Sequence, residues 1–340
     1  MTTAPAGIDA NALGTWLREH FGVSEFSVEA MSVGRSNLTY TISVDGQPQW
    51  VLRRPPLGHT GGNAHDVARE GRIMQALGDS VVPVPRVIDI VDDPAVMDVP
   101  FVFMEHCPGF VIDSPEDWSR LAPGDGPRCA FAMIDALAAI HQVDIDEVGL
   151  GDLRRPGGLV ERQLRRWLGQ FDAITTRDLP VIRSVHDVLV EVMPDPGGSP
   201  TGLAHGDYKP NNMICSPSGA VTAVVDWELT AVGEVLTDLG YFVAMLTVPE
   251  TYTSIWTPGP EVGFPAVEEL IDHYQDRTGT EVHDVNYYAA FAVWKLACIR
   301  EGVYTRLLTG TMGDLDLDPV AAGAGVEDLA RQALNLLEKS

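Results

Sequence analysis

Basic residues are scarce in this chain: 23 Lys and Arg stand against 48 Asp and Glu, for a formal net charge of -25. Broad binding to nucleic acid or to an anionic membrane surface rewards Lys and Arg, so neither is expected as a partner. The imbalance keeps a protein soluble and mildly favours a cationic ligand, and any polyanion bound here needs a local positive site and a divalent metal. Cysteine is sparse too. Cys107, Cys129, Cys215 and Cys298 lie far apart with no paired metal spacing, which excludes a disulfide framework and reads as packed, reduced thiols. No apolar run approaches the roughly 18 residues of a membrane span. The start, MTTAPAGIDA, lacks the basic and apolar segments of a secretion signal, so a cytoplasmic location is expected. No internal repeat or long low-complexity segment occurs.

What is present divides in two. With 340 residues the chain exceeds one small core, and two domains are the first expectation. Asp9 is an N-cap candidate for an amphipathic helix carrying Leu13, Trp16 and Leu17. After it, Phe26 to Val33, Leu38 to Val44 and Gln49 to Arg53 read as short strands of a meander. The spacing predicts a helix from Ala64 to Leu77 that carries Glu70 on its apolar face, where an unpaired carboxylate is costly and a partner is required. Two more strands, Arg86 to Val91 and Pro100 to Glu105, complete five. Beyond Cys107-Pro108-Gly109 the pattern turns helical: Trp118 to Val143 with a break at Pro123-Gly124, Leu159 to Phe171, Leu179 to Met193, Leu236 to Leu246, Ala266 to Thr278, Val285 to Leu308 and Pro319 to Leu337. A small hairpin, Met213 to Cys215 and Val221 to Val225, interrupts these helices.

The chemistry sits before and after that hairpin. His205-Gly206-Asp207-Tyr208-Lys209-Pro210-Asn211-Asn212 places a carboxylate on a loop and an amide five residues on, and Asp226 closes the second strand. Phosphoryl transfer from a metal-bound nucleotide uses such a set. The competing reading is a turn in which Asp and Asn bond to their own backbone, but three residues would then match position and context together by accident. His205 reads as an anchor of the loop rather than a catalyst.

This constellation resembles the aminoglycoside phosphotransferase and choline kinase family, whose fold is like that of the protein kinases; HGDYKPNN matches the kinase loop HRDxKxxN without gaps. The chain is also similar, in its LRRPP run at Leu52 to Pro56 and in this loop, to kinase-like domains fused to acyl-CoA dehydrogenases. The resemblance covers nearly the whole chain. It implies an α+β, two-lobed protein-kinase-like fold, with a nucleotide-binding lobe at 1–106 (a five-stranded antiparallel sheet with a helix) and a mainly helical catalytic and acceptor-binding lobe at 107–340. The implied activity is ATP- and Mg²⁺-dependent transfer of the γ-phosphoryl group to a hydroxyl of a small molecule.

Residue by residue, the resemblance puts Asp207 beside the acceptor hydroxyl, Lys209 on the transferring phosphate, and Asn212 and Asp226 on magnesium, which prefers hard oxygen ligands. The strand-turn-strand at Ser32 to Tyr40 would cover the nucleotide phosphates with Gly34, Ser36 and Asn37, although it is not a GxGxxG and a plain hairpin loop reads equally well. Met104, Glu105 and Cys107 fall at the hinge that holds adenine, the latter two through backbone groups. Asp238 matches a residue that receives hydrogen bonds from the catalytic loop, or it caps the next helix. One departure stands out: the kinase strand that ends in lysine ends here in Arg53, followed by Arg54. Paired with Glu70, Arg53 could fork onto phosphate with altered geometry; Arg54 is the rival for that role. Only eleven residues separate Asp226 from Asp238, too few for a peptide-docking segment, so a small acceptor is expected.

The acceptor is open between aminoglycoside, amino-alcohol, sugar and hydroxyacyl types. On the helix after Val285, Tyr287, Phe291, Trp294, Lys295, Cys298 and Gly302 share a face. That stripe reads as core; Lys295 is out of place there and, if it lines a site, favours an anionic acceptor. Two other activities remain: a nucleotide-binding pseudokinase or regulatory module, suggested by Arg53, and a protein kinase, suggested by Lys209.

Overall fold

The structure is a computed structural model and describes residues 5–32, 37–58, 66–195, 199–247, 258–310, 320 and 323–338. Two compact units divide the chain. One holds the residues up to Gly109 together with Thr222–Glu228; the other holds Phe110–Val221 and the residues from Leu229 onward.

In the first unit, helix α1 (Ala10–Phe21) starts where the Asp9 carboxylate accepts the backbone N–H groups of Asn11 and Ala12 at 2.9 and 3.1 Å, filling positions that a helix start leaves unpaired. Leu13, Trp16 and Leu17, spaced three and four apart, are its buried face. Strands β1 (Ser27–Ser32), β2 (Leu38–Val44), β3 (Gln47–Arg54), β4 (Val87–Val91) and β5 (Phe101–Glu105) form one antiparallel sheet in the order β1-β2-β3-β5-β4. Trp16 lies edge-on to Phe101 and Phe103, with ring centres 6.0 and 4.9 Å away, and anchors the core between helix and sheet.

Helix α2 (Val67–Leu77), capped by the Asp66 carboxylate on the Arg69 N–H at 2.9 Å, buries Val67, Glu70, Gly71, Met74 and Leu77. This is the face expected from spacing, with Glu70 only 1% exposed. The helix starts at Val67; the expected first turn from Ala64 lies outside the described residues.

The second unit holds α3 (Gly126–His141), α4 (Leu159–Ile174), α5 (Pro180–Glu191), α6 (Leu236–Thr247), α7 (Val267–Thr278), α8 (Val285–Leu308) and α9 (Val326–Leu337). The segment ahead of α3 is a separate 3-10 turn at Pro115–Arg120, because Pro123-Gly124 interrupts the helical hydrogen bonds. Of the last expected helix, Val326–Leu337 is observed, and Pro319 lies outside the described residues. Among the described residues no helix is long and apolar enough to cross a membrane.

Short strands complete this unit: β6 (Phe110–Val111), β7 (Thr201–Ala204), β8 (Met213–Cys215) and β10 (Ala231–Glu234), with β9 (Val221–Val224) running on into the first unit. β6 pairs with β8 and β7 with β10, both antiparallel. The β7–β10 pair delivers the chain directly into His205.

Helix α8 is buried almost all round, from Tyr287 to Thr305, as expected of a helix at the centre of a helical unit. It packs against α6 so closely that a Cβ at Gly240 would overlap Tyr288 Cβ and approach the Ala289 backbone nitrogen to 2.8 Å. Gly240→Ala is therefore expected to cost about 1–3 kcal/mol through overpacking, measured as a lower urea midpoint with an unchanged m-value. An unchanged midpoint would show that the helices separate without penalty.

Candidate functional site

In the helical unit the HGDYKPNN segment is held from behind by one buried carboxylate. Asp238, on the first turn of α6 and 1% exposed, accepts the His205 N–H on Oδ2 at 2.6 Å and the Gly206 N–H on Oδ1 at 2.8 Å. His141, at the end of α3, reaches the same Oδ2 through Nε2 at 3.3 Å, while its Nδ1 meets the Tyr274 hydroxyl at 2.7 Å. Burial pushes Asp238 toward protonation, but the His141 hydrogen bond, the charges of His141 and His205 and the Gly206 N–H outweigh it and hold its pKa below the usual carboxylate value. Gly206 is the residue this clamp requires: its φ is 85°, and a Cβ would stand 2.5 Å from the Leu229 carbonyl oxygen. Tyr208 turns inward and donates to the Met133 carbonyl at 2.5 Å, which pins the middle of the loop.

Asp207, thus presented, gathers three donors. Asn212 Nδ2 donates to Asp207 Oδ2 at 2.9 Å and to the Asp207 carbonyl at 2.8 Å, Lys209 Nζ lies 3.0 Å from the same Oδ2, and the Tyr241 hydroxyl is hydrogen-bonded to the carboxylate. Burial, then the neighbouring Asp207 charge, raise the Tyr241 pKa well above that of an ordinary phenol, so it remains a donor. The Asn212 bonds close a six-residue loop, Asp207 to Asn212, through the 3-10 turn at Pro210–Asn212. They turn the Asn212 amide oxygen away from Asp207.

In the sheet unit, Arg53 and Arg54 are neighbours on β3, so their side chains leave opposite faces. Arg54 is a structural residue, donating to the carbonyls of Gly7 at 2.5 Å and Pro55 at 3.1 Å. Arg53 is the residue that meets Glu70: Nε lies 2.8 Å from Glu70 Oε2, Nη1 3.3 Å from Thr39 Oγ1 and Nη2 2.6 Å from Asp226 Oδ1. Burial raises the Glu70 pKa, with the Arg53 charge pulling the other way; burial also opposes the Arg53 charge, but Glu70 and Asp226 restore it and raise its pKa. Asp226 itself has a φ of 68°, a left-handed conformation uncommon for a non-glycine residue and one that aspartate tolerates better than most.

The other expected nucleotide residues are distributed as follows. Gly34 and Ser36 lie outside the described residues. Asn37 is 3% exposed, and its amide oxygen and nitrogen find no partner among the described residues. Met104 is buried on β5, Glu105 ends that strand, and Cys107 is half-buried, its thiol pushed up first by burial and then by the Glu105 charge. Sequence reasoning missed Tyr241 and His141. Tyr241 had a signal, since it lies one helical turn after Asp238 and so shares its face; His141 had none.

A five-stranded antiparallel sheet with a buried Arg-Glu pair, in one chain with a helical unit whose carboxylate-to-amide loop is clamped by a buried aspartate, defines a phosphotransferase of protein-kinase-like fold. The chain belongs to the phosphotransferase enzyme family, whose model matches residues 27–280. It is 34% identical over 285 residues to acyl-CoA dehydrogenase family member 10 of Mus musculus, a match covering 82% of this chain and 26% of that protein. The chain thus spans about a quarter of that relative. Among solved structures it is similar to a Ralstonia eutropha protein provisionally designated an aminoglycoside phosphotransferase, with a TM-score of 0.80 and 30% identity over 98% of this chain and 99% of that one. A thermostable mutant of aminoglycoside phosphotransferase APH(4)-Ia, in ternary complex with AMP-PNP and hygromycin B, shares the fold at a TM-score of 0.61 and 15% identity, covering 96% and 99%. Family membership supports phosphoryl transfer to small molecules in general.

Proposed function

We propose that this chain transfers the γ-phosphoryl group of ATP, with Mg²⁺, to a hydroxyl on a small molecule. The observation that carries the reading is Asp207, a carboxylate held by Asn212, Lys209 and Tyr241 on a loop fixed by Asp238. A carboxylate is a weak base toward an alcohol, so Asp207 orients the acceptor O–H and takes its proton late in the transfer. The acceptor oxygen bonds to phosphorus as the bond to the β-phosphate oxygen breaks, ADP leaves, and the proton passes through Asp207 to solvent. Lys209 places its charge on the transferring group.

The residues expected to hold magnesium fit a hard cation. Asn212 offers an amide oxygen turned away from Asp207, and Asp226 offers a carboxylate that is one-quarter exposed, with Arg53 occupying one of its oxygens. Bound there, magnesium would neutralise charge on the phosphate oxygens. Arg53 is proposed to fork onto phosphate, Asn37 with Gly34 and Ser36 to cover the phosphates, and Met104, Glu105 and Cys107 to hold the adenine. A small-molecule alcohol is the proposed partner.

The test is ATP consumption, with thermal shift in parallel, against aminoglycosides, amino alcohols, sugars and hydroxyacyl thioesters. Mg-ATP is expected to stabilise the protein, and Asp226→Ala to weaken that binding at least about tenfold. Unchanged Mg-ATP affinity in Asp226→Ala would remove the metal assignment. The contact of Arg53 with Asp226 favours one further reading, a nucleotide-binding module without turnover; Mg-ATP binding with no acceptor-dependent ADP release across the panel would select it.

A further inference from the structure

A narrow recess in the helical unit, with a cavity volume of about 30 Å³, opens onto the backbone of the Asp207 loop. Its polar lining comes from α4 (Arg166, Trp167), α6 (Asp238, Tyr241) and α8 (Lys295), with Gly206 at the loop. The Trp167 indole is fixed by its N–H bond to Gln163 Oε1 at 2.9 Å, and the Arg166 guanidinium carbon lies 5.4 Å from the Trp167 ring centre. Lys295 Nζ donates to the Gly206 carbonyl at 2.9 Å and stands 5.7 and 5.6 Å from the rings of Trp167 and Tyr241. An ammonium has three donors, so one bond to Gly206 leaves capacity for a ligand.

Resting on the phosphotransferase reading, the geometry points to an acceptor that carries an oxyanion, a carboxylate or a phosphomonoester, with its hydroxyl at Asp207 and its anion at Lys295 and Arg166. Tyr241 links the two ends, because it lines the recess and its hydroxyl is bonded to Asp207. A cationic acceptor needs carboxylates in the wall. The one carboxylate among the described lining residues is Asp238, whose oxygens are already taken by His205, Gly206 and His141. Two cations facing one recess, in a chain with a net charge of -25, are a local reversal of the protein's charge. Burial lowers the Lys295 pKa against the pull of Asp207 and Asp238, and an anion beside it reverses that shift. Leu229 and Phe291 supply apolar wall for a short hydrocarbon between hydroxyl and anion.

The experiment compares ω-hydroxycarboxylates, alcohol phosphomonoesters, diols and amino alcohols of matched chain length, by KM and kcat at saturating Mg-ATP and by titration calorimetry without ATP. One of the two anion classes is expected to show a KM at least about tenfold below those of the diols and amino alcohols, and the better class identifies the oxyanion. Lys295→Gln and the exposed Arg166→Glu are each expected to raise that KM about tenfold or more while leaving the KM for ATP unchanged, and Arg166→Glu to improve amino alcohols. The inference is overturned if amino alcohols bind as well as the anions, if neither variant changes anion affinity, or if no anion binds. Anion binding that both variants weaken, without turnover of any compound, would uphold this inference while removing the phosphotransferase reading on which the choice of hydroxyl end depends.

Discussion

Asp207→Asn is expected to lower acceptor phosphorylation by about 10²–10⁴-fold while leaving ATP affinity and the melting temperature nearly unchanged. The substitution keeps the size of the side chain and removes its charge. An asparagine oxygen still accepts one of the bonds now given by Asn212, Lys209 and Tyr241, but the amide nitrogen brought in with it is itself a donor. The proton of the acceptor hydroxyl then has no carboxylate to point at. Stability is little affected, because the side chains of Asp207 and Lys209 are each 18% exposed and the loop's main restraints are the backbone bonds to Asp238. Single-turnover phosphorylation of a confirmed acceptor, with ATP binding measured separately, distinguishes the effects. Full activity in the variant would exclude the mechanism.

Arg177→Met carries the largest expected loss of stability, about 3–5 kcal/mol, read as a fall in Tm of roughly 4–7 °C. Glu301, on α8, is fully buried and is neutralised by Arg177 from the connection between α4 and α5. Arg177 Nε lies 3.2 and 3.1 Å from the two Glu301 oxygens, its Nη2 also bonds Oε2, and Thr175 Oγ1 donates to Oε1 at 3.0 Å. The same guanidinium reaches the Gly323 carbonyl at 3.3 Å and stacks over Tyr304, 4.2 Å from its ring centre. Removing the arginine leaves a carboxylate in the interior with only a hydroxyl to answer it. Replacing both partners, Arg177→Met with Glu301→Leu, is expected to recover most of the loss, because two apolar side chains leave no charge to solvate. A double-mutant cycle by urea denaturation reads the difference, and a single-variant loss below about 1 kcal/mol would show that water reaches Glu301.

Much of this was legible from spacing. The five strands announced themselves as short β-prone runs and α2 through its helical spacing, and Glu70 was marked as needing a partner because a carboxylate fell on an apolar arc. The resemblance named Arg53 as that partner, with Arg54 as its rival, and the structure bears out Arg53. Arg53 and Arg54 are chemically the same, and only the sheet register, which pairs Arg53 with Thr39 and Val102, decides which one faces Glu70 and Asp226. The β7–β10 pair escaped because each strand is four residues long and carries a glycine, Gly202 and Gly233, so neither shows alternation. Lys295 was ambiguous for a different reason: in a helix buried on nearly every side, spacing cannot separate core from pocket. Tyr287, Trp294, Cys298 and Gly302 are core, Phe291 lines the recess, and Lys295 is the member of that stripe that bonds to the Asp207 loop.

The guanidinium at position 53 also decides which covalent reagents this protein will escape. A nucleotide analogue that delivers an acyl group to the end of this strand depends on an amine that can shed its proton and attack. Arginine does not do so at any workable pH, and the flanking Glu70 and Asp226 hold its proton more tightly still. Activity-based labelling built on the strand lysine of kinases will therefore pass over this strand, and the nucleotide binding proposed for it has to be followed by methods that form no bond.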